Sequence, residues 1–106
     1  MDKELMKGSI DLLLLSLLSQ KKLYGYEMTK ILREMSMGKY EISEGTLYPA
    51  LKRLEKKEFI EGHWKESESG RRKYYHVTES GQTELERKRS CFYFLENLVR
   101  KSAKAF

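Results

Sequence analysis

The chain carries one cysteine (Cys91), one proline (Pro49) and one tryptophan (Trp64) in 106 residues, and each scarcity removes a class of protein. A single thiol builds neither a disulfide framework nor a thiolate metal cluster, and an unpaired cysteine fits a reducing cytosol. One proline and seven scattered glycines leave no room for a long linker, and no segment repeats another. The apolar run from Ile10 to Leu18 is interrupted by Asp11 and Ser16. It is too short to span a bilayer and lacks a signal-peptide cleavage pattern, so a cytoplasmic protein without a membrane partner is expected. The two histidines, His63 and His76, belong to no HExxH motif and pair with no cysteine, and no glycine-rich phosphate loop is present. No base stands at a readable spacing from any tyrosine. Catalysis, a cofactor and a bound metal are therefore not expected.

What remains is a chain sized for one domain, 35% charged and 40% apolar, as soluble globular proteins are. Its net charge of +5 and pI near 9.3 are compatible with binding nucleic acid without demanding it.

The organising stretch is Ser43–Lys57, SEGTLYPALKRLEKK. Wound as a helix it lines up Leu47, Leu51 and Leu54 on one side. Gly45, Tyr48, Pro49, Lys52, Arg53 and Lys56 fall on the other. Ser43 suits the N-cap and Glu44 the positive end of the dipole. Pro49 removes a bond to Gly45, so either the first turn is irregular or regular helix begins nearer Thr46. A greasy back and a flat basic front suit a helix laid against a polyanion, and equally describe a solvated amphipathic helix.

On the N-terminal side, residues 4–19 read as a helix whose leucines extend almost all round it, closed by Lys21 and Lys22. So much apolar surface implies burial partly by a second subunit. A second helix spans about Tyr24 to Met37, with Met28, Ile31, Leu32 and Met35 inward and Gly38 at C′. On the C-terminal side the period changes to two. Phe59–Glu66 and Arg72–Val77 read as strands joined by Ser67 to Arg71, with Ile60, Trp64, Tyr75 and Val77 toward the core. A last helix starts at Thr78, and Leu85, Phe92, Leu95 and Val99 form a heptad-like seam along it.

The fold expected is mainly α (α+β): a winged helix-turn-helix of three helices and a two-stranded wing, followed by a C-terminal dimerisation helix. Residues 1–77 form the DNA-binding part and 78–106 the dimerisation helix, in one compact unit. Such a fold offers its third helix to the major groove and its wing to the backbone or minor groove. Lys52, Arg53, Arg72 and Lys73 are candidate phosphate contacts. Thr46, Tyr48 and Pro49 sit where side chains meet base edges, and Arg71 at the wing tip can enter a narrow minor groove. Tyr24, Ser43 and Gly70 complete the expected DNA-facing set. Dimerisation is expected through Leu5, Ile10, Leu13, Leu85, Phe92, Leu95 and Val99.

Three motifs, YGYEM (Tyr24–Met28), GTLYPALKRLEKK (Gly45–Lys57) and GRRKYYHVTESG (Gly70–Gly81), together resemble the PadR family of bacterial transcriptional regulators. The resemblance covers residues from about 8 to 90. It implies a winged-helix repressor that dimerises through its last helix, aided by its first, on an inverted-repeat operator in double-stranded DNA. It also implies that a phenolic or hydrophobic effector is a candidate ligand. Some multidrug-sensing members carry a tryptophan on the last helix, which this chain lacks. Phe92, Tyr93 and Phe94 are the residues that can stand in for it, or they are packed dimer core. A winged-helix protein-interaction module is the main alternative, and the joint presence of Lys52, Arg53, Arg71, Arg72 and Lys73 argues for DNA over it.

Overall fold

The computed structural model describes Met6 and residues 8–106. In chain order the elements are α1 (Ile10–Leu18), β1 (Leu23–Tyr24), α2 (Gly25–Met35), α3 (Glu44–Lys56), β2 (Ile60–Ser67), β3 (Gly70–Val77) and α4 (Glu79–Ser102). This is the expected winged helix-turn-helix with two refinements. Leu23 and Tyr24 form a third strand that pairs antiparallel with β3, opposite Tyr75 and Tyr74, so the sheet order is β1-β3-β2. The first helix begins, within the described residues, at Ile10 and ends at Leu18. Lys21 and Lys22 therefore lie beyond its last turn, and Leu5 falls outside the described residues.

One core joins every helix to the sheet. Leu14, Leu15 and Leu18 of α1, Met28 and Leu32 of α2, and Leu47, Ala50, Leu51 and Leu54 of α3 meet Leu23, Ile60, Tyr75 and Leu85. The α3 stripe read from spacing is the buried one, each of its members 1% exposed. Two expected core residues are not in it. Met35 is the last residue of α2 and is exposed. Trp64 lies on the core-facing side of β2 yet is 58% exposed. Only Ile60 of β2 and Tyr75 of β3 are buried, so the core lies under the base of the hairpin and does not reach Trp64.

Helix ends explain the connections. Gly38 and Met37 donate to Arg33 O and Glu34 O at 2.8 and 3.1 Å, a Schellman closure of α2. The left-handed C′ position is taken by Met37 (φ +55°), and Gly38 (φ +79°) is the following residue. The same closure ends α3: Phe59 N donates to Leu54 O and Glu58 N to Glu55 O, with Glu58 at φ +64°. At its other end α3 begins at Glu44 and passes through Pro49. Thr46 N and Leu47 N both donate to Ser43 O, at 3.1 and 2.9 Å. The second of these is a regular helical bond, so the helix is in place from its first turn and Pro49 lies inside it, where it cannot donate to the Gly45 carbonyl.

The wing is tighter than its sequence suggested. Strands pair from Ile60 opposite Val77 out to Ser67 opposite Gly70, leaving only Glu68 and Ser69 as the turn. Gly70 supplies the positive φ (+111°) that closes it. Thr78 then caps α4, its hydroxyl accepting from Gly81 N at 3.1 Å while donating to Glu58 O. Beyond its first turns α4 leaves the body, and from Ser90 onward every residue is exposed. The radius of gyration, 15.5 Å, exceeds the ~13 Å of a compact chain this long, and the longest extent is 60 Å.

Candidate nucleic-acid interface

The front of α3 is what burial of its leucines leaves outward. Ser43, Glu44, Gly45, Thr46, Tyr48, Pro49, Lys52, Arg53 and Lys56 are all exposed. Ser43 occupies the N-cap position, but its hydroxyl donates to Thr46 Oγ1 at 3.2 Å instead of capping the helix. Two hydroxyls thus stand together at the exposed helix N-terminus. Pro49 sits beside them and has no N–H to satisfy.

Tyr48 has a structural duty as well as an exposed edge. A methyl group on Gly25 would lie 2.6 Å from the Tyr48 hydroxyl, so the Tyr48 ring of α3 packs directly on the α2 backbone and a side chain there would have to push it aside. The YGYEM and LYP motifs are therefore two halves of one helix–helix contact. Tyr24 N, just before α2, donates to Glu27 Oε1 at 3.1 Å, satisfying an orphan donor of the first turn.

The cations divide into tethered and untethered. Arg53 donates to Asp11 of α1 at 2.8 Å, and Lys73 pairs with Glu55 of α3 at 3.0 Å. Both belong as much to the scaffold as to a phosphate-binding face. Lys52 and Lys56 are exposed on α3 and make no ion pair among the described residues. On the wing, β alternation splits the RRK run between two faces. Arg71 and Lys73 flank Trp64, at 5.0 and 5.9 Å from its ring, and Arg71 also meets Glu66 at 3.4 Å. Arg72, on the opposite face, lies 4.7 Å over the Tyr24 ring, while Lys65 lies 5.8 Å over Tyr74. Tyr24 and Tyr74 in turn meet edge to face at 5.3 Å. Arg72 and Lys65 have no carboxylate partner among the described residues, so their cation–π contacts hold these two heads in place without neutralising them.

Sequence reasoning assigned Trp64 to the core and overlooked Lys65. The signal for Lys65 was its alternation with Trp64 on a strand long enough to outrun the body. Below the wing, Tyr75 is buried and its phenol is pushed above the ordinary tyrosine range, first by burial, then by Glu55 and Tyr48. It stays a neutral packing residue.

The residues expected to dimerise or to bind an effector fall into two groups. Leu85 is fully buried in the chain's own core and has no surface left for a partner, so the heptad seam starts only at Phe92. Ile10 and Leu13 are half-buried against that core. Phe92, Tyr93, Phe94, Leu95, Leu98 and Val99 stand between 48% and 70% exposed. Phe92 and Tyr93 meet edge on at 5.6 Å. An effector pocket built from Phe92, Tyr93 and Phe94 would need a second chain to close it.

A three-helix body with α3 outward and a basic wing beside it defines a winged-helix DNA-binding regulator, and no helix among the described residues is long and apolar enough to cross a membrane. Comparison with known proteins narrows the class. Residues 14–87 match the model of the transcriptional regulator PadR-like family, a span that contains α2, α3 and the whole wing. A transcriptional regulator from Clostridium thermocellum has a similar structure, with TM-score 0.86 and 34% identity over 92% of this chain and 96% of that one. A PadR family transcription regulator from Clostridium difficile gives TM-score 0.78 and 39% identity over 88% and 96% of the two chains. The transcriptional regulator YqjI of Escherichia coli is 30% identical over 93 residues, 88% of this chain but only 44% of YqjI. The chain belongs to the PadR-like family of transcriptional regulators. It is a regulator of transcription rather than an enzyme.

Proposed function

We propose that this chain acts in the cytoplasm as a homodimeric repressor, binding an inverted-repeat operator in double-stranded DNA and occluding a promoter. The observation that carries the reading is the pairing of two unsatisfied surfaces on one small molecule. The exposed front of α3 bears hydroxyls and Lys52, which has no ion-pair partner among the described residues, and the distal half of α4 bears six exposed apolar side chains. The first suits a groove lined with phosphates; the second suits a copy of itself, because apolar patches of this kind mark association surfaces. In the dimer Thr46 and Tyr48 read bases, Lys52 and Arg72 neutralise phosphates, and Ile10 and Leu13 extend the α4 contact.

A two-fold dimer sets two recognition helices about 34 Å apart, one turn of B-DNA, or a multiple of that. Footprinting on the DNA upstream of its own gene tests the arrangement. Two protected half-sites of mirrored sequence, centred about 10 base pairs or a multiple apart, are expected. One unpaired half-site, or uniform protection along the fragment, would contradict it.

A further inference from the structure

The outer face of the wing's root carries a side-chain cluster that the DNA-facing reading does not use. Glu61 and His63 are two apart on β2, so they share a face, and Glu61 lies directly opposite His76 of β3. Their polar atoms converge. Nε2 of His76 is 3.3 Å and Nε2 of His63 is 4.0 Å from the same carboxylate oxygen, Oε2 of Glu61. The two imidazoles lie parallel, 3° between planes and 4.9 Å between centroids. Nδ1 of His76 is buried and has no hydrogen-bond partner among the described residues. Nε2 is therefore the nitrogen that this ring presents to Glu61.

The geometry points to a binding site for a divalent transition ion of the nickel, copper and zinc group, held by Nε2 of His63, Nε2 of His76 and the Glu61 carboxylate. Three ligand atoms each about 2.1 Å from a tetrahedral ion stand about 3.4 Å from one another. Here the ligating atoms all lie within 4.8 Å of one another. Small side-chain rotations, available to the exposed Glu61 and His63, bring them to the ligating distance. Two imidazoles and one carboxylate are an N,O donor set that suits these borderline ions, and the calcium and magnesium class prefers all-oxygen ligands. Three protein ligands leave a coordination position for water or another group. Because the ligands come from both strands, the ion ties β2 to β3 at the base of the wing. The inference is independent of what the wing tip contacts.

The test uses tag-free full-length protein stripped with a chelator and titrated with Zn²⁺ by calorimetry, with thermal melts recorded at each addition. His63 and His76 are the chain's only histidines, so the assignment is sharp. One Zn²⁺ per chain and a melting temperature that rises with Zn²⁺ are expected. His63→Ala and Glu61→Gln, both at exposed positions, should keep the metal-free circular dichroism spectrum and weaken Zn²⁺ binding by about tenfold or more. Cys91→Ser should bind as the unsubstituted chain does. No uptake by the unsubstituted chain, undiminished affinity in His63→Ala, or loss of binding in Cys91→Ser would each overturn the site.

Discussion

α3 and the distal half of α4 are both amphipathic, and the chain treats them in opposite ways. In α3 the apolar stripe is covered completely by α1, α2 and the sheet, so the surface it shows is polar and basic. In α4 from Ser90 onward every residue is exposed among the described residues, and the apolar ones are part of what is shown. Periodicity alone draws the same picture for both. The contrast teaches that a helix is assigned its role by what buries its stripe: a stripe covered from within frees the charged face for a polyanion, and one left bare asks for a second copy.

The sharpest way to break the first half of that comparison is Leu51→Ala. A fully buried leucine replaced by alanine should cost about 2–5 kcal/mol of unfolding free energy, read by chemical denaturation. A loss well under 1 kcal/mol would mean the α3 stripe is not the anchor. Leu95→Arg addresses the other half. It should give a monomer in sedimentation while leaving helix content intact, and operator affinity should fall by about 10²–10⁴ as two-site binding is lost. A variant that stayed dimeric would remove the α4 surface from the account.

Smaller effects sharpen the division within α3. Lys52→Ala should weaken binding to all duplexes alike and lower the slope of log affinity against log salt by about one. Thr46→Ala should leave that slope alone and narrow the gap between operator and random DNA. Identical behaviour of the two variants would dissolve the distinction between positioning and reading residues. Smallest is Glu58→Gly, at the left-handed position that ends α3. Relief of the side chain's conformational penalty should stabilise the fold by about 0.5–1 kcal/mol, seen as a higher melting temperature.

What could be read beforehand was whatever is written locally. The α3 stripe, the start of the last helix at Thr78 and the order of helices and wing each depend on residues within a turn or two of one another. What could not be read depends on distance through the fold. Arg53 meets Asp11 across 42 positions and Lys73 meets Glu55 across 18, so neither tether leaves a mark on local spacing. β1 is two residues long and exists only because β3 is there to pair with it. Alternation put Trp64 on the correct face of β2 but carries no information about how far the core extends beneath it. Leu85 and Leu95 share one seam by spacing, and only the position of α1 distinguishes the one that is covered.

The most direct test of the central claim, a dimer that reads specific DNA with α3, is a titration of the protein into its own upstream DNA and into a scrambled duplex of equal length, at two salt concentrations. The account predicts a preference for the upstream fragment that persists at the higher salt, because base contacts do not depend on counterion release. Equal binding to both duplexes, lost together as salt rises, would contradict it.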